Sequence, residues 1–68
     1  METGRSVGFV QSYDRGAGYG FVLAVGSEEP VFFRAEDIEG GPALSEGQQV
    51  SFVLVLGEGR FEAREIRP

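Results

Sequence analysis

The sequence predicts an all-β fold, a small five-stranded antiparallel Greek-key barrel of the OB type, and three observations carry that prediction. Glycine, present 11 times in 68 residues, cuts the chain into short β-rich pieces. Within those pieces apolar residues recur at a period of two. One longer connection, residues 36–47, stands among otherwise short turns, as a crossing loop does in a small barrel.

The strands are expected at about 5–13, 18–25, 30–35, 48–56 and 60–67. The first ends at Asp14-Arg15-Gly16-Ala17, where Asp and Gly suit turn positions. The second runs through Gly18-Tyr19-Gly20-Phe21-Val22 and stops at the turn Gly26-Ser27-Glu28-Glu29. The third is Val31-Phe32-Phe33-Arg34, followed by a single turn of 3₁₀ helix around Ala35–Ile38. Glu39-Gly40-Gly41-Pro42 cannot be regular structure, because two glycines and a proline break both helix and ladder. Gly57-Glu58-Gly59 closes a hairpin between the last two strands. Read at period two, Val10, Val22, Val31, Phe33, Val50, Phe52, Leu54 and Ile66 point inward. Ile38 and Leu44 plug the barrel ends.

Length bounds the rest. The chain is read as one domain over residues 1–68, with a small core and a stability of a few kcal/mol, on the order of 3–5. No cysteine and no histidine are present, which removes disulfides, thiolate nucleophiles and the usual zinc sites, so no metal or cofactor is expected. An enzyme would then need paired carboxylates in a pocket, and Glu36-Asp37 sits in a short loop without an evident cleft; no catalytic residue is assigned. No apolar run approaches ~18 residues and Met1-Glu2-Thr3-Gly4 is not a signal peptide, so a soluble cytoplasmic protein without a membrane partner is expected. The net charge of −5 argues against a generic polyanion binder, although a local basic strip matters more than the total. Glu28, Glu29, Glu36, Asp37 and Glu39 lie away from the Tyr19–Phe21 strand and read as solvating loop charges.

The aromatic pattern is the most informative motif. Tyr19 and Phe21 share one face of the second strand, and Phe32 and Arg34 share one face of the third. If the strands pair, three rings and a guanidinium meet on one surface, with glycines between the rings leaving the backbone open. Two readings fit: a base-stacking platform, or aromatic filling of a core.

The order of the segments resembles the cold-shock domain, from about Val7 to Ile66 with one short deletion. Gly8-Phe9-Val10 and Tyr13 match its first strand. Gly18-Tyr19-Gly20-Phe21-Val22 looks like its first ribonucleoprotein motif, and Val31-Phe32-Phe33-Arg34, with Ile38 following, looks like its second. Leu44-Ser45-Glu46-Gly47-Gln48-Gln49-Val50-Ser51-Phe52 is similar to its turn and fourth strand. The resemblance implies binding of single-stranded RNA or DNA with little sequence preference, of the RNA-chaperone or transcription-modulating kind. It places base-stacking rings at Tyr13, Tyr19, Phe21 and Phe32. Arg34 stands where the family usually has histidine and, with Arg15, would lie near the nucleic-acid backbone. A guanidinium can both stack on a base and pair with a phosphate, so Arg34 keeps a contact there; its bland alternative is a solvated strand charge.

The departures from the family weaken that expectation. Gln11 and Ala17 stand where the family has lysines. Ser12 replaces a tryptophan, Ala35 an aromatic, and residues 36–47 lack the ring usually found there. At ~1 kcal/mol per lost stack, three missing rings cost about a hundredfold in affinity. A second feature points toward protein contacts. Phe9, Val53, Val55 and Phe61 read as an outward apolar patch suited to a homodimer or protein partner. The alternative is ordinary strand propensity, since β-branched residues favour strands whichever way they face. A divergent cold-shock fold acting mainly through protein contacts is therefore the competing reading.

Overall fold

The computed structural model describes residues 5–41 and 43–68. Met1–Gly4, read above for signal character, and Pro42 of the glycine-rich loop lie outside the described residues. Five strands form: β1 (Arg5–Asp14), β2 (Tyr19–Ala24), β3 (Val31–Arg34), β4 (Gln49–Leu56) and β5 (Phe61–Arg67). A short 3₁₀ turn, Ala35–Asp37, follows β3. The strands close into a barrel in the order β1-β2-β3-β5-β4. Neighbours are antiparallel except for β3 and β5, which run parallel and meet at Phe32 and Glu62. The bridge Ile38–Ile66 extends that parallel seam beyond β3.

Alternation explains most of the core. Val10, Val22, Val31, Phe33, Val50, Phe52 and Ile66 are buried, as period two predicts, and Ile38 and Leu44, expected as plugs of the barrel ends, are buried too. Two bulges reset that period. On β1, Val10 faces Val22 but Ser12 faces Phe21, so Gln11 is an extra residue. On β5, Val53 faces Arg64 while Ser51 faces Arg67, and Glu65 absorbs the surplus residue at φ 52°. Ala63 and Ile66, three apart, consequently both point inward and are fully buried.

Gly20 belongs to this core. A Cβ there would collide with the Ser12 carbonyl and with Cζ of Phe33, so the glycine makes room for the Phe33 ring rather than opening the backbone to a ligand.

Leu54 departs from the expected core. It has inward parity, since it pairs with buried Ala63, yet it is 38 % exposed. The β4–β5 hairpin runs on past the start of the short β3, and there Leu54 and Phe61 line an open groove with Phe21, Pro30 and Phe32. Phe61 pairs with Leu56 on the same inner side, whereas Val53 and Val55 pair with Arg64 and Glu62 on the outer side. Phe61 therefore does not join Val53 and Val55 in a patch.

Phe9 is separated from those valines as well. It pairs with Gln49, whereas Val53 pairs with Arg5, four residues along the strand and roughly 13 Å away. Between them Arg5 donates to Ser51 Oγ at 3.0 Å and to the Glu65 carbonyl at 2.7 Å. The expected single patch is thus two: Phe9 beside Val7 and Leu23, and half-buried Val53 and Val55 beside Glu36, Asp37, Glu39 and Arg64.

Candidate nucleic-acid interface

Pairing of β2 with β3 sets Tyr19 opposite Arg34 and Phe21 opposite Phe32. Directly opposed residues share a face of the sheet, so three rings gather on the outside of the barrel. Tyr19 stacks on Phe32 with centroids 5.8 Å apart. Phe21 stands edge-on to both, 6.3 Å from Tyr19 and 5.9 Å from Phe32. These rings are exposed or half-buried, and none belongs to the core cluster. The core-filling alternative therefore does not describe these three rings, which lie on the outer face of the sheet.

Tyr13 is placed differently. The bulge at Gln11 reverses parity, so Tyr13 pairs with inward Gly20 and its ring lies 5.4 Å from Phe33, packed against the core. Its hydroxyl is buried without a hydrogen-bond partner among the described residues. Ser12, opposite Phe21, occupies the outer position. Arg15 stands on the exposed turn after β1, which is held by Gly18 N–H donating to the Asp14 carbonyl at 2.8 Å and Ala17 N–H donating to Asp14 Oδ1 at 3.1 Å.

The cationic side of the platform is richer than the sequence motifs indicated. Arg34 sits over Phe32, its Cζ 4.9 Å from the centroid, and Arg60 sits closer, at 4.1 Å. Both also face Glu62, a β5 carboxylate only 5 % exposed. Arg34 Nη1 donates to Glu62 Oε1 at 3.0 Å, Arg64 Nη2 donates to the same oxygen at 3.4 Å, and Arg60 Nε lies 3.8 Å from Oε2. Asp37 adds a second carboxylate, 3.8 Å from Arg64 Nε. The Arg34 hydrogen bond, reinforced by Arg64, holds the Glu62 carboxyl below the usual glutamate range despite opposing desolvation. Gly57 lets this carboxylate lie against the backbone, since a Cβ there would come 2.6 Å from Oε2.

Arg60, Glu62 and Arg64 were not singled out by motif. A signal did exist: counting back from Ile66 at period two puts Arg64 and Glu62 inside the barrel, so the strand had to break its alternation.

A five-stranded OB-type barrel with an exposed aromatic sheet face defines a class of nucleic-acid-binding modules. The family described as "'Cold-shock' DNA-binding domain" matches residues 6–68, and the chain belongs to that family. It is 33% identical over 64 residues to cold shock protein CapB of Pseudomonas syringae pv. tomato, covering 93% of each chain. The identity to the major cold shock protein CspA of Pseudomonas aeruginosa is 36% over the same length, again covering 93% of each chain. Among solved structures, drosophila Unr CSD456 shares the fold with a TM-score of 0.77 at 23% identity. That match covers 93% of this chain and 26% of the other. Among the described residues no helix is long and apolar enough to cross a membrane.

Proposed function

We propose that this protein binds single-stranded RNA or DNA in the cytoplasm, weakly and with little sequence preference, by stacking bases on Tyr19, Phe21 and Phe32. The observation that carries this reading is the three-ring cluster on the outer face of β2 and β3, with two guanidiniums over Phe32. Every base offers a π-face, so such a platform is tolerant of sequence.

Weakness follows from charge. Arg5, Arg34, Arg60, Arg64 and Arg67 each face an intramolecular carboxylate, and Arg15 alone of the arginines has no ion pair among the described residues. Few phosphates can then be neutralised, so binding should respond weakly to salt. Anisotropy titration of labelled single-stranded oligonucleotides at two salt concentrations tests both points. Micromolar or weaker affinity with a shallow salt slope is expected, and no binding at low salt overturns the reading.

A second reading has its own observation. Val7 and Phe9 on β1 are 46 % and 45 % exposed and adjoin Leu23 on the outer surface, which suits a protein partner or a homodimer. Sedimentation at high concentration tests the homodimer: Phe9→Glu should abolish any self-association of the wild type.

A further inference from the structure

The inner face of the projecting β4–β5 hairpin and the edge of the ring platform together make an apolar groove of about 570 Å³. Phe21 and Phe32 form one side, and Leu54 and Phe61 the other, with Pro30 at the base and Arg60 at the rim. From this geometry we propose that the groove is a further nucleobase slot, which takes one unstacked base of the strand lying on the platform. The proposal rests on the stacking reading and extends it to residues that the ring motifs do not include.

Four features point to the occupant. The groove is continuous with the platform, because Phe21 and Phe32 line both, so a strand stacked on Tyr19 and Phe32 has its next base at the groove mouth. Its walls are apolar and partly aromatic: Phe61 is 54 % exposed and Leu54 38 %, both with free surface facing the slot. Arg60 stands at the rim with its Cζ 4.1 Å from the Phe32 centroid and its Nε 3.8 Å from Glu62 Oε2, so what it offers an inserted base is chiefly a guanidinium surface to stack on. At the loop rim, Ser27 and Glu29 offer acceptors to base N–H groups. Glu29 is the anionic member of the lining, which disfavours a bare phosphate inside and favours a base edge.

The slot also accounts for Phe61 physically. Phe61, beside the hairpin turn, leaves more than half of its surface exposed in the free protein. Against a base it gains a stacking partner, typically worth a factor of about ten or more in affinity.

Anisotropy titrations with oligothymidylates of increasing length, on wild type, Phe61→Ala and Phe32→Ala, test the slot. Phe61→Ala should fold as the wild type does, because the ring is exposed, and circular dichroism checks this. For longer strands Phe61→Ala should bind about tenfold more weakly, and for strands too short to reach past the platform it should match the wild type. Leu54 methyl resonances should shift on adding the long strand and not the short one. If Phe61→Ala binds every length as the wild type does while Phe32→Ala loses affinity, the slot is wrong and the platform stands. If the wild type binds no oligonucleotide, both fail together. If Phe61→Ala instead disrupts a wild-type dimer in sedimentation, the groove belongs to a second copy of the chain and the nucleobase assignment is overturned.

Discussion

Phe32 and Phe33 are adjacent, chemically identical and assigned to opposite sides of one strand, so truncating each to alanine separates binding from folding. Phe33 is fully buried, lies 5.4 Å from the Tyr13 ring and fills the space opened by Gly20. Its removal leaves a cavity in a very small core, at a cost of about 3–5 kcal/mol. A domain of this size has a total stability of roughly 3–5 kcal/mol, so Phe33→Ala should be largely unfolded at room temperature. Phe32 is half-buried, and what it touches is the ring cluster and two guanidiniums. Losing those contacts should cost about 1–2 kcal/mol, because ring pairs and exposed cation–π contacts are each worth about 1 kcal/mol and are not additive. The same change removes a stacking surface, so affinity for a single strand should fall about tenfold or more. Urea denaturation followed by circular dichroism gives the first quantity, and oligonucleotide anisotropy on the folded variant gives the second. Equal destabilisation by the two changes, or a Phe32→Ala variant that binds like the wild type, would refute the inward and outward assignment.

Salt should move affinity little: the slope of log K against log salt is expected at about −1 to −2, and nanomolar binding with a steep negative slope contradicts the charge pairing described above. Glu62 has a lowered carboxyl pKa in the fold, so its contribution to stability is present above the ordinary glutamate pKa and is lost as pH falls through the folded value. Acid titration of thermal stability should show this loss, and Glu62→Gln should flatten that part of the profile; an unchanged profile would mean that the carboxylate is not held by the arginines. Tyr13→Phe removes a buried hydroxyl with no partner among the described residues, so stability should stay level or rise by about 1 kcal/mol. A clear loss in chemical denaturation would show that the hydroxyl has a partner after all.

The fold was legible because its signals are local. Strand breaks at glycine, alternation through Val10, Val22, Phe33 and Phe52, and the 3₁₀ turn after Arg34 depend on neighbours in sequence, and the barrel follows from them. Legibility failed where alternation was interrupted or where an element left the barrel. Gln11 and Glu65 look like any other polar strand residues, yet each inserts one extra residue, and that reversal turns Tyr13 inward and exposes the Arg64 side chain. Leu54 and Phe61 have core parity, but parity cannot tell that the hairpin runs on past the start of β3.

The parallel seam between β3 and β5 is the least local feature of all, and it decides the electrostatics. Pairing Phe32 with Glu62 brings Arg34, 28 residues away in sequence, to a nearly buried carboxylate that its own near neighbours Arg60 and Arg64 already flank. From sequence, Arg34 was a cation available to phosphate. In the fold it is bound to Glu62 and stacked on Phe32, and a phosphate would have to compete with a carboxylate 3.0 Å away. The rings supply attraction that does not depend on salt, whereas the arginines are largely neutralised before any ligand arrives. On the proposed stacking reading, a surface with its own counter-ions built in should discriminate by access to unstacked bases, favouring single strands over duplexes at low overall affinity.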